Sequence, residues 1–237
     1  IFFPIILMKD PFFFAEKLSE GTTTIFLDEK ASKHAIQVLR MKEDNILNLV
    51  SGNGILASAR ITKANSKKAE VAIDNVQIFP LANKRTVIGI SLVKNAARFE
   101  WFLEKATELG ITEIIPLLCY RTERQLFKRE RLTQIMINAM LQSKQCWMPL
   151  LHVPLNIEQV IQSTTLENKF IAHCEEQQKK VFSDYLSKEI NDTIILIGPE
   201  GDFTTEEISL AQNSDFIPVS LGKTRLRTER QGLWLQH

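Results

Sequence analysis

Short apolar runs rich in β-branched residues, separated by polar turns, fill the first third of the chain. Thr22–Leu27, Ile46–Val50, Ile55–Ile61 and Val71–Ile78 each have the length and composition of a strand. Asn53-Gly54, between the second and third runs, predicts a hairpin, because both residues accept a positive φ. One helix interrupts the set, Ala31–Met41, with Ala35, Val38 and Leu39 on one face. These elements predict a small β-barrel-like domain over residues 1–80, followed by a linker over 80–85.

From residue 86 the grammar changes to strands alternating with helices. Strands are expected at Thr86–Val93, Ile114–Leu118, Lys169–Cys174, Thr193–Ile197 and Phe216–Leu221. Helices are expected at Ala97–Leu109, Lys128–Ser143, Lys179–Lys188 and Thr205–Gln212. The first helix carries Phe99, Phe102, Leu103, Ala106 and Leu109 on one stripe and stops at Gly110 in the C′ position. Thr204 and Glu207 have capping-box spacing. Such alternation predicts an α/β domain over 86–237 built on a mainly parallel sheet.

Charge changes this picture little. Lys and Arg total 29 against 28 Asp and Glu, so any nucleic-acid surface has to be local. Three separated cysteines without a CxxC pair argue against a disulfide scaffold or a cysteine zinc site, and fit a reducing cytoplasm. The apolar start Ile1–Met8 is broken by Pro4, Lys9, Asp10 and Pro11, too short for a membrane span. Met8 is read as the natural start, with residues 1–7 a translated leader.

Candidate chemistry lies in the loops leaving the C-terminal ends of the strands, where open α/β sheets bind ligands. Ile197-Gly198-Pro199-Glu200-Gly201 is a tight turn with close backbone access; the alternative is a plain strand-to-helix connection. Leu221–Glu229 places Lys223, Arg225 and Arg227 just after the last strand, where a solvated charge run is the competing reading. His173 beside Cys174 lacks a second histidine at ligand spacing, so no metal is expected. Arg121, Arg124, Lys128, Arg129 and Arg131 form a local basic cluster suited to a phosphate backbone or to a solvated helix start, and Lys94 and Arg98 lie near the end of an earlier strand. No GxGxxG follows a strand, and Gly222-Lys223-Thr224 is no P-loop because Ile217 stands at the required glycine.

In order, Lys94–Pro116, Thr122-Glu123-Arg124, Gln142-Ser143 with Pro149, Ile197–Gly201 and Ser220–Glu229 resemble the 16S ribosomal RNA uracil-N3 methyltransferases of the SPOUT superfamily. His34–Met41 resembles that family's N-terminal domain. The resemblance implies a PUA-like RNA-binding domain, a SPOUT domain closed by a trefoil knot, a cytoplasmic homodimer, and bound S-adenosylmethionine. It carries cofactor binding to Ile197, Gly198, Pro199, Glu200, Gly201, Leu221, Gly222, Leu226 and Arg227. Because uridine N3 becomes nucleophilic only as its proton leaves, Arg227 is the candidate for stabilising the anion, and Glu200 or Glu229 for accepting the proton. RNA contacts are expected from Lys94, Arg98, Arg121, Arg124, Lys128, Arg129 and Arg131, and the partner is 16S RNA or the small subunit.

Two departures from the family pattern stand out. Asp202 replaces a second glycine after Gly201, where its side chain is expected to tolerate a positive φ and to cap the following helix. After Glu229 the chain reads Arg230–His237 in place of Thr-Ala-Gly and a long apolar helix. A single-base deletion near codon 230 accounts for that change, and predicts a truncated SPOUT domain with weakened cofactor binding. A non-catalytic RNA-binding remnant is the competing function; an α/β enzyme for a small metabolite is disfavoured for want of a catalytic dyad or phosphate loop.

Overall fold

Apolar runs that alternate inward and outward positions build the first unit, which comprises residues 1–81 together with 137–148. In the computed structural model, residues 9–123, 126–174, 179–186, 191–221 and 228–231 are described. Five strands, β1 (Phe12–Phe14), β2 (Thr24–Phe26), β3 (Ile46–Val50), β4 (Ile55–Lys63) and β5 (Glu70–Ile78), form a sheet in the order β1-β3-β4-β5-β2. β1 runs parallel to β3 and the other pairs are antiparallel. Leu47, Leu49, Ala57, Ala59, Ile61 and Val71 fill its core with Ala35.

The expected single helix over Ala31–Met41 instead starts earlier and changes pitch. Asp28 caps α1 (Glu29–Lys33) by accepting from the Ala31 N–H at 2.6 Å, and the chain continues as a π-helical turn, His34–Val38. The expected hairpin joins β3 to β4, although positive φ falls at Gly52 and Gly54, not at Asn53. Gly54 is required there, since a Cβ would lie 2.5 Å from the Trp147 ring and 2.6 Å from the Phe79 carbonyl oxygen. Met140 and Cys146 are buried with Val50 and Leu56, and the Gly54 N–H donates to the Cys146 carbonyl at 2.9 Å. Apolar burial of these two side chains therefore assigns 137–148 to the first unit.

The second unit holds residues 82–136 and 149–237. Its strands are β6 (Thr86–Ser91), β7 (Glu113–Leu118), β8 (Leu150–Leu151), β9 (Leu155–Asn156), β10 (Asn168–Ala172), β11 (Lys180–Val181), β12 (Thr193–Ile197) and β13 (Ile217–Ser220). They pair in parallel in the order β11-β13-β10-β12-β6-β7-β8, with β9 also on β7. All five positions of β12 are buried, as a strand covered on both faces demands. The helices are α2 (Ala96–Glu108), α3 (Arg129–Gln142), which begins in this unit, α4 (Ile157–Ser163), α5 (Ser183–Leu186), α6 (Thr205–Asn213) and α7 (Thr228–Gln231).

α2 buries Phe99, Phe102, Leu103 and Ala106 from the expected stripe, while Leu109 stays exposed; Gly110 follows with φ 75°. The helix expected over Lys179–Lys188 is not continuous. Lys180–Val181 pairs with β13, and among the described residues of that stretch only Ser183–Leu186 is helical. Phe182 and Tyr185 imitate a helical spacing, but both pack their rings against Phe170 of β10. Sequence β6 to β7 runs toward one edge of the sheet, whereas β10, β12 and β13 lie on the other side of β6. The strand order thus reverses between β12 and β6, the place where open parallel sheets expose a ligand crevice.

Candidate functional site

The turn after β12 is buried at Gly198 and Pro199 and exposed at Glu200 and Gly201. A Cβ at residue 198 would sit 3.2 Å from the Phe203 ring, so glycine lets the turn lie directly on that side chain. No hydrogen bond from the N–H groups of Gly198, Glu200 or Gly201 is found among the described residues. Leu221, buried at the end of β13, contributes an apolar surface.

Neighbouring strand ends fasten this turn. Arg121, after β7, donates through Nη1 to the carbonyl oxygens of Gly201 at 2.7 Å and Phe203 at 3.2 Å. Since β7 and β12 flank β6, this side chain spans the end of the strand between them. Glu207 is buried in the first turn of α6; its Oε1 accepts from the Tyr120 N–H and its Oε2 from the Thr204 N–H, both at 2.8 Å. Thr204 Oγ1 accepts from the Glu207 N–H at 3.2 Å, completing the expected capping box. The Thr122 hydroxyl meets Ser91 Oγ at 2.9 Å and accepts from the Cys119 N–H at 2.9 Å. Burial, reinforced by the Glu207 carboxylate, pushes the Cys119 thiol up to about 12, so it remains protonated.

Asp202 takes φ 65° at the position of the expected glycine. Its Oδ2 accepts from the Cys174 N–H at 2.6 Å and its Oδ1 from the Phe203 N–H at 2.8 Å. The side chain therefore ties the turn to the end of β10. Helix capping, the role expected for it, belongs to Thr204.

Arg98, in the first turn of α2, reaches two acids. Its Nη1 lies 4.0 Å from Glu200 Oε1, and its Nε lies 3.9 Å from Glu229 Oε1 on α7. Glu229 is only 5% exposed, and its Oε2 has no hydrogen-bond partner among the described residues. The candidate acids Glu200 and Glu229 are thus brought beside one cation. Gly222, Leu226 and Arg227 lie outside the described residues, as does Arg124.

The other basic candidates are mostly engaged. Lys94 pairs with Glu123 at 2.9 Å, which raises the lysine pKa through hydrogen bonding and charge, and Arg131 pairs with Glu100 at 2.7 Å with the same consequence. Arg129 donates to the Leu151 carbonyl at 3.1 Å. Lys128 has no ion pair among the described residues and lines a cavity of about 180 Å³ with Leu92, Val93, Phe99, Leu126 and Leu132. Sequence reasoning missed Ser91 and Thr122 as fasteners of the site, because a serine ending a strand carries no distinguishing spacing.

Comparison with known proteins identifies this architecture. Residues 80–233 match the family model of the RNA methyltransferase domain, and 27–74 match that of the RNA methyltransferase PUA domain. The chain belongs to this RNA methyltransferase family, as the ordered motifs anticipated. It is 27% identical over 224 residues to ribosomal RNA small subunit methyltransferase E of Mesomycoplasma hyopneumoniae, covering 92% of this chain and 95% of that one. A probable rRNA methyltransferase from Porphyromonas gingivalis superposes with a TM-score of 0.88 at 34% identity, covering 94% of both chains. Ribosomal RNA small subunit methyltransferase E from Neisseria gonorrhoeae, solved bound to S-adenosyl methionine, superposes at 0.80 with 27% identity, again over 94% of each.

Proposed function

We propose that this chain transfers a methyl group from S-adenosylmethionine to N3 of a uridine in 16S ribosomal RNA of the small subunit. The observation that carries the reading is the Gly198–Gly201 turn, held at the strand-order reversal on a buried apolar floor, with N–H groups that have no partner among the described residues. Those groups suit the cofactor: N–H donors answer its polar atoms, while Ile197, Pro199 and Leu221 offer apolar contact to an adenine. Gly222, Leu226 and Arg227 are assigned the facing wall. When bound, the sulfonium supplies a methyl group that is already a strong electrophile.

The chain's own residues then have three tasks. They hold the base in line, which makes the reaction effectively unimolecular. Arg227 stabilises the negative charge that develops on the uridine as the N3 proton departs. Glu200, exposed at the tip of its turn, is the acceptor a docked base can reach, while enclosed Glu229 orients Arg98. The residue 27–74 domain and the basic side chains at 94, 98, 121, 124, 128, 129 and 131 are assigned to the RNA, with Arg121 acting chiefly through the turn it clamps.

The same reading includes a trefoil knot in the second unit, a homodimer and a cytoplasmic location. Incubation with labelled S-adenosylmethionine and unmodified small-subunit RNA, followed by nucleoside analysis, tests it. A non-catalytic RNA binder would retain RNA binding and transfer no label.

A further inference from the structure

Of the large apolar and aromatic side chains left in solvent among the described residues, Tyr120 is the most exposed, at 87%. Its backbone is nevertheless pinned from both sides. The Tyr120 N–H donates to buried Glu207; the turn around it is closed by Cys119 N–H to Thr122 Oγ1 at 2.9 Å and Thr122 N–H to the Cys119 carbonyl at 3.0 Å. The next residue, Arg121, is fixed on Gly201. A fixed backbone thus carries an aromatic ring into solvent one residue away from the side chain that clamps the cofactor turn.

The side chains that follow it in sequence are polar or charged: Arg121, Thr122 and, three residues on, Glu123, which forms an exposed pair with Lys94. A protein interface centre is depleted of lysine and glutamate such as the Lys94–Glu123 pair. An exposed aromatic face with basic residues close to it in the chain is instead what single-stranded nucleic acid uses, with bases stacked on the ring and phosphates near the basic side chains. We propose that Tyr120 is a stacking platform for a nucleobase of the substrate strand, beside the uridine that is methylated. The inference rests on the reading of this chain as an RNA methyltransferase.

The test uses the full chain and a fluorescein-labelled single-stranded oligouridine, since stacking tolerates any base, titrated by anisotropy at fixed salt. Tyr120→Ala is expected to weaken binding about tenfold or more, and Tyr120→Phe to bind as the parent does. Replacing the bases by abasic residues should erase the difference between parent and Tyr120→Ala, and both should share one salt slope because no charge is lost. Cofactor affinity should be equal in all three proteins. If Tyr120→Ala binds oligouridine within twofold of the parent, or changes the sedimenting species with its RNA affinity intact, the stacking role is wrong while the RNA reading stands. A parent that binds cofactor but no RNA overturns both.

Discussion

The Arg121 guanidinium, carried by the turn after β7, holds the Gly201 carbonyl oxygen of the turn after β12 at 2.7 Å. A charged donor on a backbone acceptor is worth about 1.5–3 kcal/mol. Arg121→Ala is therefore expected to weaken S-adenosylmethionine binding by tenfold or more, measured by calorimetry, with kcat for saturated enzyme falling less. Arg121→Lys, which keeps one donor, should recover part of the affinity.

Arg98 and Glu229 form a second testable pair. Removing the cation strands a carboxylate that is nearly enclosed, though Arg98 itself is about a third exposed and the contact is 3.9 Å long. Arg98→Ala should cost about 1–2 kcal/mol in chemical denaturation, below the figure for fully buried pairs. Adding Glu229→Gln to Arg98→Ala should restore stability, since the stranded charge is then gone.

At Asp202, replacement by glycine relieves a left-handed backbone but removes acceptors for the Cys174 and Phe203 N–H groups. The two lost bonds outweigh the relief, so Asp202→Gly should unfold at lower denaturant concentration by about 1 kcal/mol. Asp202→Ala should be worse, losing both bonds and keeping the strain.

These pairs mark the limit of what the sequence made legible. Local signals were readable: the apolar run of β12, the amphipathic helix stopped at Gly110, and the Thr204–Glu207 box all appear where the pattern puts them. Contacts between distant segments were not. Nothing in Met140 or Cys146 announces that they pack on Val50 and Leu56, and nothing in a basic run separates an arginine bound to a carbonyl from one in solvent. Lys180–Val181 shows the same failure, where pairing with β13 overrides a helical spacing.

Cysteine chemistry offers an independent check on the packing. Burial raises Cys119 to about 12 and Cys146 to about 11, whereas Cys174 is exposed. Thiolate is the reactive form, so at pH 8 the first two stay protonated and shielded. Iodoacetamide on the native protein should label Cys174 alone, read by peptide mass spectrometry; denaturant should open all three.

The most direct measurement is nucleoside mass spectrometry on small-subunit RNA lacking the modification, after incubation with this chain and S-adenosylmethionine. The account predicts one new nucleoside, 3-methyluridine, reduced when Arg227 is replaced by alanine. Methyl groups on another atom or base would contradict the assigned chemistry, and an unmodified digest despite bound cofactor and RNA would contradict the assigned activity.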